Sequence, residues 1–350
     1  MEKSQPIAVL DSSVSVPNQL LVSVRAVFAQ WPSWWFSLTW AQKLFPALAI
    51  SLYWSTLWSL QGLRGDHYIL GTLLLVLSYS GPILKPVLRF GFPFILTAIV
   101  YDSMRFYADY LRGFVHVSEP YLFDKYFFGI STAQGILTPN EWWQLHTHPV
   151  LDLIAGFAYL VFFAVFIFVS VYFSFFIAKK GTKKVPAAKL SQTATLMPWS
   201  FFWLNVLGYT TYYWYAAAPP WYITLYGLGP ADMSAPANSA GCARFDQLLG
   251  THFFSEMYGR AADVFGAIPS LHVAYPFLAV YFAFRYGTAR AFCVGFYLLM
   301  CFSAVYLNHH FILDILWGSA YALIIGWLTF RYVDFRAQRQ MTHATNGGNL

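Results

Sequence analysis

Long apolar stretches, each about the length that crosses a bilayer, limit this chain more than any other feature. A spanning helix needs roughly 20 apolar residues, because lipid offers the backbone no hydrogen-bond partner outside the helix itself. Eight stretches fit, at about 44–62, 68–89, 91–110, 150–178, 196–216, 269–287, 290–308 and 311–331. The third is the most polar, interrupted by Asp102 and Arg105. Composition agrees: 58% of the 350 residues are hydrophobic and only 10% are charged, against about a quarter charged in a soluble globular domain. The sequence predicts an all-α polytopic membrane helix bundle, with a single embedded domain over 44–336 and its core at about 150–331.

The flanking segments read differently. The stretch 18–43 contains WPSWWFSLTW and predicts a helix lying in the headgroup region, within a cytoplasmic N-terminal segment 1–43. The opening residues lack a charged region followed by a long apolar core, so no cleavable signal peptide is expected. The polar residues 337–350 predict a disordered cytoplasmic tail. Net charge is +6, with no basic stripe interleaved with aromatics, so nucleic acid is not an expected partner. Cys242, Cys293 and Cys301 form no framework.

The basic residues orient the spans. Lys85 and Arg89, the lysines from Lys179 to Lys189, Arg285 and Arg290, and Arg331, Arg336 and Arg339 all fall on one side when the spans alternate. That side is expected to be cytoplasmic. The long segments 111–149 and 217–268 then lie outside, in periplasm or organelle lumen.

Chemistry concentrates at the outer ends of the last three spans. FGAIPSLH (265–272) opens the sixth, and YLNHHFILD (306–314) joins the seventh to the eighth. His310 and Asp314 stand at i, i+4, which places them on one face of a helix. A carboxylate that accepts one imidazole N–H fixes the tautomer and sharpens the other nitrogen as a nucleophile, with phosphorus as its natural target. His272 supplies the facing acid and base. A lone PSxH or HxxxD is ordinarily structural; here two such motifs reach the same face by an independent charge argument, and ionisable groups at spans point to function. His146 and His148 in LHTHP lie at i, i+2, with no carboxylate at ligand spacing, so no metal is expected there.

PSLH followed by HHFILD resembles the type 2 phosphatidic-acid phosphatase superfamily. Within it, APPWY (218–222), GCARFDQLLG (241–250), FGAIPSLH and HH-x-x-x-D-x-x-x-G (309–318) resemble the inositol phosphorylceramide synthases, the aureobasidin-target family. The resemblance covers about 215–331, roughly a third of the chain. It implies a six-helix core with additional N-terminal helices. It implies His310 as the nucleophile forming a phosphohistidine, Asp314 as its orienting group, His272 as acid then base, and no metal or cofactor. The implied partners are the bilayer and its lipids: phosphatidylinositol as donor, and ceramide or a diacylglycerol-like alcohol as acceptor. Two superfamily features are missing. Ala304 stands where the wider superfamily has an arginine, and TTYYWYAAAPP carries no Lys or Arg where a basic motif is usual. The narrower family shares both absences. Arg244 is therefore the first candidate for phosphate contact, against a salt bridge with Asp246; Ser270, His309, Arg260, Arg105 and Arg112 are further candidates. Asp102 and Arg105 also read as a structural ion pair. Hydrolysis by the same residues, with water as acceptor, is the alternative activity; a transporter ranks behind both, because the spans are uninterrupted and their ionisable groups lie near the ends.

Overall fold

The computed structural model describes residues 29, 31–60, 62–82, 84–107, 110, 112–133, 135–177, 195–259 and 263–346, of which 336–346 as backbone alone. Within these the chain is mostly helical; seven of the eight expected spans each overlap one long helix, while the second, 68–89, straddles two, Gly65–Tyr79 and Lys85–Ser103. It divides into two compact units, residues 1–92 and 93–350.

In the first unit a helical stretch at 31–37 leads into α1 (Trp40–Leu60) and α2 (Gly65–Tyr79). Trp31, Trp34 and Trp35 pack on one another, and the Trp31 indole N–H donates to the Tyr79 carbonyl at 2.8 Å. The rest of the predicted interfacial helix, 18–28 and 30, lies outside the described residues. α3 (Lys85–Ser103) begins in this unit. Lys85 and Arg89 were expected in a connection, yet they stand inside α3. Gly81 at φ +87° with Pro82 interrupts the helical pattern early, and Pro86 suits the first turn of the next helix.

The second unit carries the chemistry. After α3 come β1 (Val115–His116), α4 (Ser118–Phe128), the hairpin β2 (Ile130–Thr132) and β3 (Gly135–Leu137), and α5 (Pro139–Leu145). α6 (Pro149–Val171) continues as a wider turn to Ile177. The lysine-rich link 179–189 lies outside the described residues. α7 (Leu196–Trp214), β4 (Ala216–Ala217) and the short helices α8 (Pro220–Tyr226), α9 (Cys242–Leu249) and α10 (Phe253–Tyr258) follow. α11 (Leu271–Tyr286), α12 (Arg290–Tyr306) and α13 (Ile312–Asn346) complete the chain. Both long connecting segments, 111–149 and 217–268, which read as loops, thus hold short helices. The expected disordered tail differs too: α13 runs to Asn346, because no proline interrupts it and the Gly347–Gly348 breaker comes only afterwards.

Among the described residues, three helical stretches are long and apolar enough to cross a membrane, Lys85–Phe106, Pro149–Ile177 and Ile312–Phe335, and α12 is apolar at shorter length. α11 is buried along most of its surface, through Val273, Ala274, Leu278, Phe282 and Ala283 among others, with Phe284 and Arg285 exposed near its end. It packs against α6, α7, α12 and α13. At its N-terminal end three backbone segments lie side by side. β1 pairs in parallel with β4, and Ala217 bridges to Gly266, through Ala217 N–H to the Phe265 carbonyl at 2.8 Å. This small frame sets the segment 263–267 against the turn between α12 and α13.

Candidate active site

His310 lies in that turn, not on the helix that follows. The i, i+4 reading is corrected in this respect: α13 begins at Ile312, and His310 meets Asp314 from just outside its first turn. The contact itself holds at 3.2 Å between His310 Nδ1 and Asp314 Oδ2, and His310 Nδ1 is also 3.1 Å from the Ala267 carbonyl. Both neighbours are acceptors, so Nδ1 carries the proton and Nε2 carries the lone pair. His272 Nδ1 is 3.2 Å from His310 Nε2, and therefore donates to it. Burial pushes the His310 imidazole down to about 4. It is neutral near pH 7, as a nitrogen nucleophile must be.

Main-chain contacts assemble the two motifs. Ser270 N–H donates to the Asp314 carbonyl at 3.0 Å, and Phe311 N–H to Asp314 Oδ2 at 3.0 Å. Gly318 belongs to the same contact, since a Cβ there would strike the Ser270 carbonyl oxygen. Ser270 Oγ and Asp314 Oδ1 are buried with no hydrogen-bond partner among the described residues.

The turn 305–313 is gripped from several sides. Asn308 adopts φ +61°, a left-handed conformation that asparagine tolerates better than most residues. Asn140 Nδ2 donates to the carbonyls of Val305 (3.1 Å) and His310 (3.0 Å). Gln144 Nε2 donates to the Tyr306 carbonyl at 3.1 Å. Trp221 N–H reaches the Asn308 carbonyl and Gly241 N–H the Leu307 carbonyl. A Cβ at 241 would lie 2.8 Å from Leu307 Cα, so glycine is required there. Asp124 reaches in from α4 and accepts the N–H of Ile312 (2.7 Å) and of Leu313 (3.0 Å), capping α13 across 188 residues. Its burial raises the carboxyl to about 7 against the pull of those two donors.

The candidate phosphate ligands separate. Arg244 does not pair with Asp246. Its Nε donates to Asp152 Oδ1 at 2.6 Å, Nη1 to Gln144 Oε1 at 3.0 Å and Nη2 to the Tyr306 carbonyl at 3.3 Å. Asp246 instead accepts the N–H groups of Phe254 and Ser255 and so caps α10. Arg244 thus braces the turn. Arg105 donates to Asp102 at 3.2 Å, and Arg260 lies outside the described residues. His309 is held between the rings of Tyr159 (5.4 Å) and Tyr258 (4.7 Å), and its Nε2 donates to the Ser239 carbonyl at 3.1 Å. Burial holds it well below its ordinary value, so it is neutral with its N–H occupied, leaving only an acceptor to offer. Cys242 Sγ sits 3.4 Å from the same nitrogen, its thiol pushed up by burial and so kept protonated. His146 and His148 serve helix ends: His146 Nδ1 donates to the Trp142 carbonyl, and His148 Nδ1 accepts the Val150 N–H.

A cavity of about 470 Å³ opens on His272, His309 and His310. Its walls are aromatic and aliphatic, from Phe94, Phe162, Phe163, Phe201 and Leu271, and Asp263 stands in its lining. Sequence motifs pointed to His272, His310 and Asp314, which this geometry brings together. They gave no sign of Asp124, Asn140 or Gln144, whose partners are backbone groups more than 160 residues away.

A paired-imidazole and carboxylate centre thus stands at one end of the helix bundle. The chain belongs to the PAP2 superfamily, whose family model matches residues 133–328. Its relatives there are enzymes of one narrow kind. A phosphoinositol dihydroceramide synthase of Bacteroides thetaiotaomicron is 33% identical over 275 residues, 77% of this chain and 85% of that protein. The inositol phosphorylceramide synthase catalytic subunit of Schizosaccharomyces pombe is 28% identical over 72% of this chain and 56% of that protein. That of Saccharomyces cerevisiae is 29% identical over 38% of this chain and 32% of that protein. No solved structure matches the chain.

Proposed function

We propose that this phosphotransferase moves inositol phosphate from phosphatidylinositol to the primary hydroxyl of ceramide or a related lipid alcohol. The observation that carries the reading is the line Asp314–His310–His272, with 3.2 Å at each step, opening on an apolar cavity. His310 Nε2 attacks the donor phosphorus as the phosphorus–oxygen bond to diacylglycerol breaks. His272, in its protonated form, gives its proton to the departing oxygen and is left neutral. It then takes the proton of the incoming hydroxyl, whose oxygen attacks the phosphohistidine and frees His310. Asp314 holds the Nδ1–H of His310 throughout and steadies the charge that the ring gains. The His272–His310 contact must part as phosphorus arrives, since a phosphoryl group does not fit within 3.2 Å. Aromatic walls disfavour water and favour a lipid alcohol as acceptor, which supports transfer over hydrolysis.

The protein is an integral membrane protein by its apolar helices and its relatives. Its site, on this reading, faces the side opposite the Lys/Arg clusters, with eight spans and both termini cytoplasmic. The test is incubation of purified protein with labelled phosphatidylinositol and ceramide, followed by mass spectrometry. Inositol phosphorylceramide is expected; free inositol phosphate as the only product would replace transfer with hydrolysis. His310→Ala is expected to abolish turnover with the melting temperature retained, and His272→Ala to be severely impaired. Full activity in the first would remove the nucleophile, and unchanged rates in the second would remove the acid–base role.

A further inference from the structure

Asp263 is the one carboxylate among the described residues that lines the cavity beside His272 and His310, and no lysine or arginine lines it. It is rigidly held. Its Oδ1 accepts from Arg112 Nη2 at 2.6 Å and from Phe265 N–H at 2.9 Å, with both charged side chains at most 5% exposed. The Arg112 guanidinium lies over the Phe265 ring at 5.5 Å, and the Phe265 carbonyl is fixed by Ala217 N–H. Asp263 and Ala267 belong to one wall of the cavity, and the Ala267 carbonyl receives the His310 N–H. Three residues of chain separate them, so their Cα atoms lie within roughly 14 Å of each other even if the segment were fully extended.

We propose that Asp263, its charge balanced by Arg112, reads the hydroxyls of the donor head group and selects a neutral polyol phosphate over cationic head groups. This rests on the phosphotransferase reading above. A buried ion pair adds little net stability compared with apolar residues of the same volume, so its place at a substrate cavity is better explained by recognition. The charges cancel. A choline or ethanolamine head group requires uncompensated negative charge, which this pair does not present. A ring carrying adjacent hydroxyls offers donors that the carboxylate in the lining accepts, while Arg112, outside the lining, balances its charge.

The experiment compares donors. Purified protein receives a ceramide acceptor and, in separate mixed micelles, phosphatidylinositol, phosphatidylglycerol, phosphatidylethanolamine or phosphatidylcholine; kcat and KM are measured for each. The wild type is expected to use the inositol lipid best and the two cationic head groups least. Asp263→Asn is expected to raise KM for phosphatidylinositol about 10- to 100-fold, the range for losing a hydrogen bond to a charged group, with kcat changed far less. The double variant Arg112→Met with Asp263→Leu leaves no lone buried charge and so guards against simple unfolding; the same loss of preference is expected with its melting temperature retained. Wild-type KM and donor preference in either folded variant would overturn the proposal while leaving the transfer reading intact. A wild type that prefers a cationic donor would also overturn it. A wild type that transfers from none of the four would overturn both.

Discussion

At Gly318 the main chain of α13 passes so close to the Ser270 carbonyl that a methyl group has no room. Gly318→Ala should therefore push α13 outward and carry Asp314 away from His310. Overpacking of this kind costs about 1–3 kcal/mol. The expected outcome is a kcat lowered at least about tenfold, with a smaller change in KM and a melting temperature lower by several degrees, read by transfer assay and thermal denaturation in detergent. Gly318 was visible in the sequence as the last position of the HHxxxDxxxG pattern, and so were His272, His310 and Asp314. Asp124 was not. It caps a helix 188 residues downstream through backbone N–H groups, which every residue type presents alike, so no pairing of side-chain types marks it. Arg244 illustrates the opposite error. Its neighbour Asp246 is near in sequence, yet the guanidinium pairs with Asp152, 92 residues away, because the helix cap at α10 already occupies the nearer carboxylate.

The turn between α12 and α13 behaves as a unit, and its two buried imidazoles give it a pH response. Burial holds His309 and His310 below their ordinary value of 6.5, with His310 at about 4. Between these values the unfolded chain binds protons that the folded chain refuses. The rings' contribution is thus full above about 6.5 and is lost as pH falls towards 4, while Asp124, raised to about 7 in the folded chain, strengthens the fold over the same fall in pH. The check compares variants: from pH 7 to 4 the melting temperature of His309→Gln should fall less than that of the wild type and that of Asp124→Asn should fall more; identical slopes in all three would contradict the burial of these groups. At this scale the spans were legible because 20 apolar residues leave few alternatives. The short helices α4, α5, α8, α9 and α10 were not, because 6–11 residues hold too few turns for a period to stand out from a polar loop.

For the molecule as a whole, the alternation of basic clusters becomes a labelling experiment. In a background with the native cysteines replaced by serine, Ser131→Cys in the exposed β2–β3 hairpin should react with a membrane-impermeant maleimide added outside intact cells. Thr288→Cys, in the turn between α11 and α12, should react only after permeabilisation. The reverse pattern would invert the orientation, and both reacting alike would break the eight-span scheme. The mostly helical plan was readable from hydropathy. The small frame of β1, β4 and the bridge at Gly266 was not, since two-residue strands leave no alternation to read.

The bond from Ser270 N–H to the Asp314 carbonyl means that the reaction chamber is fastened by main chain and not by the rings that react. A protein silenced at its nucleophile should keep the chamber's form and hold its donor without consuming it. Such an inert copy, purified gently from its own host, becomes a snare: whatever lipid comes out with it names the natural donor without any candidate having been chosen beforehand.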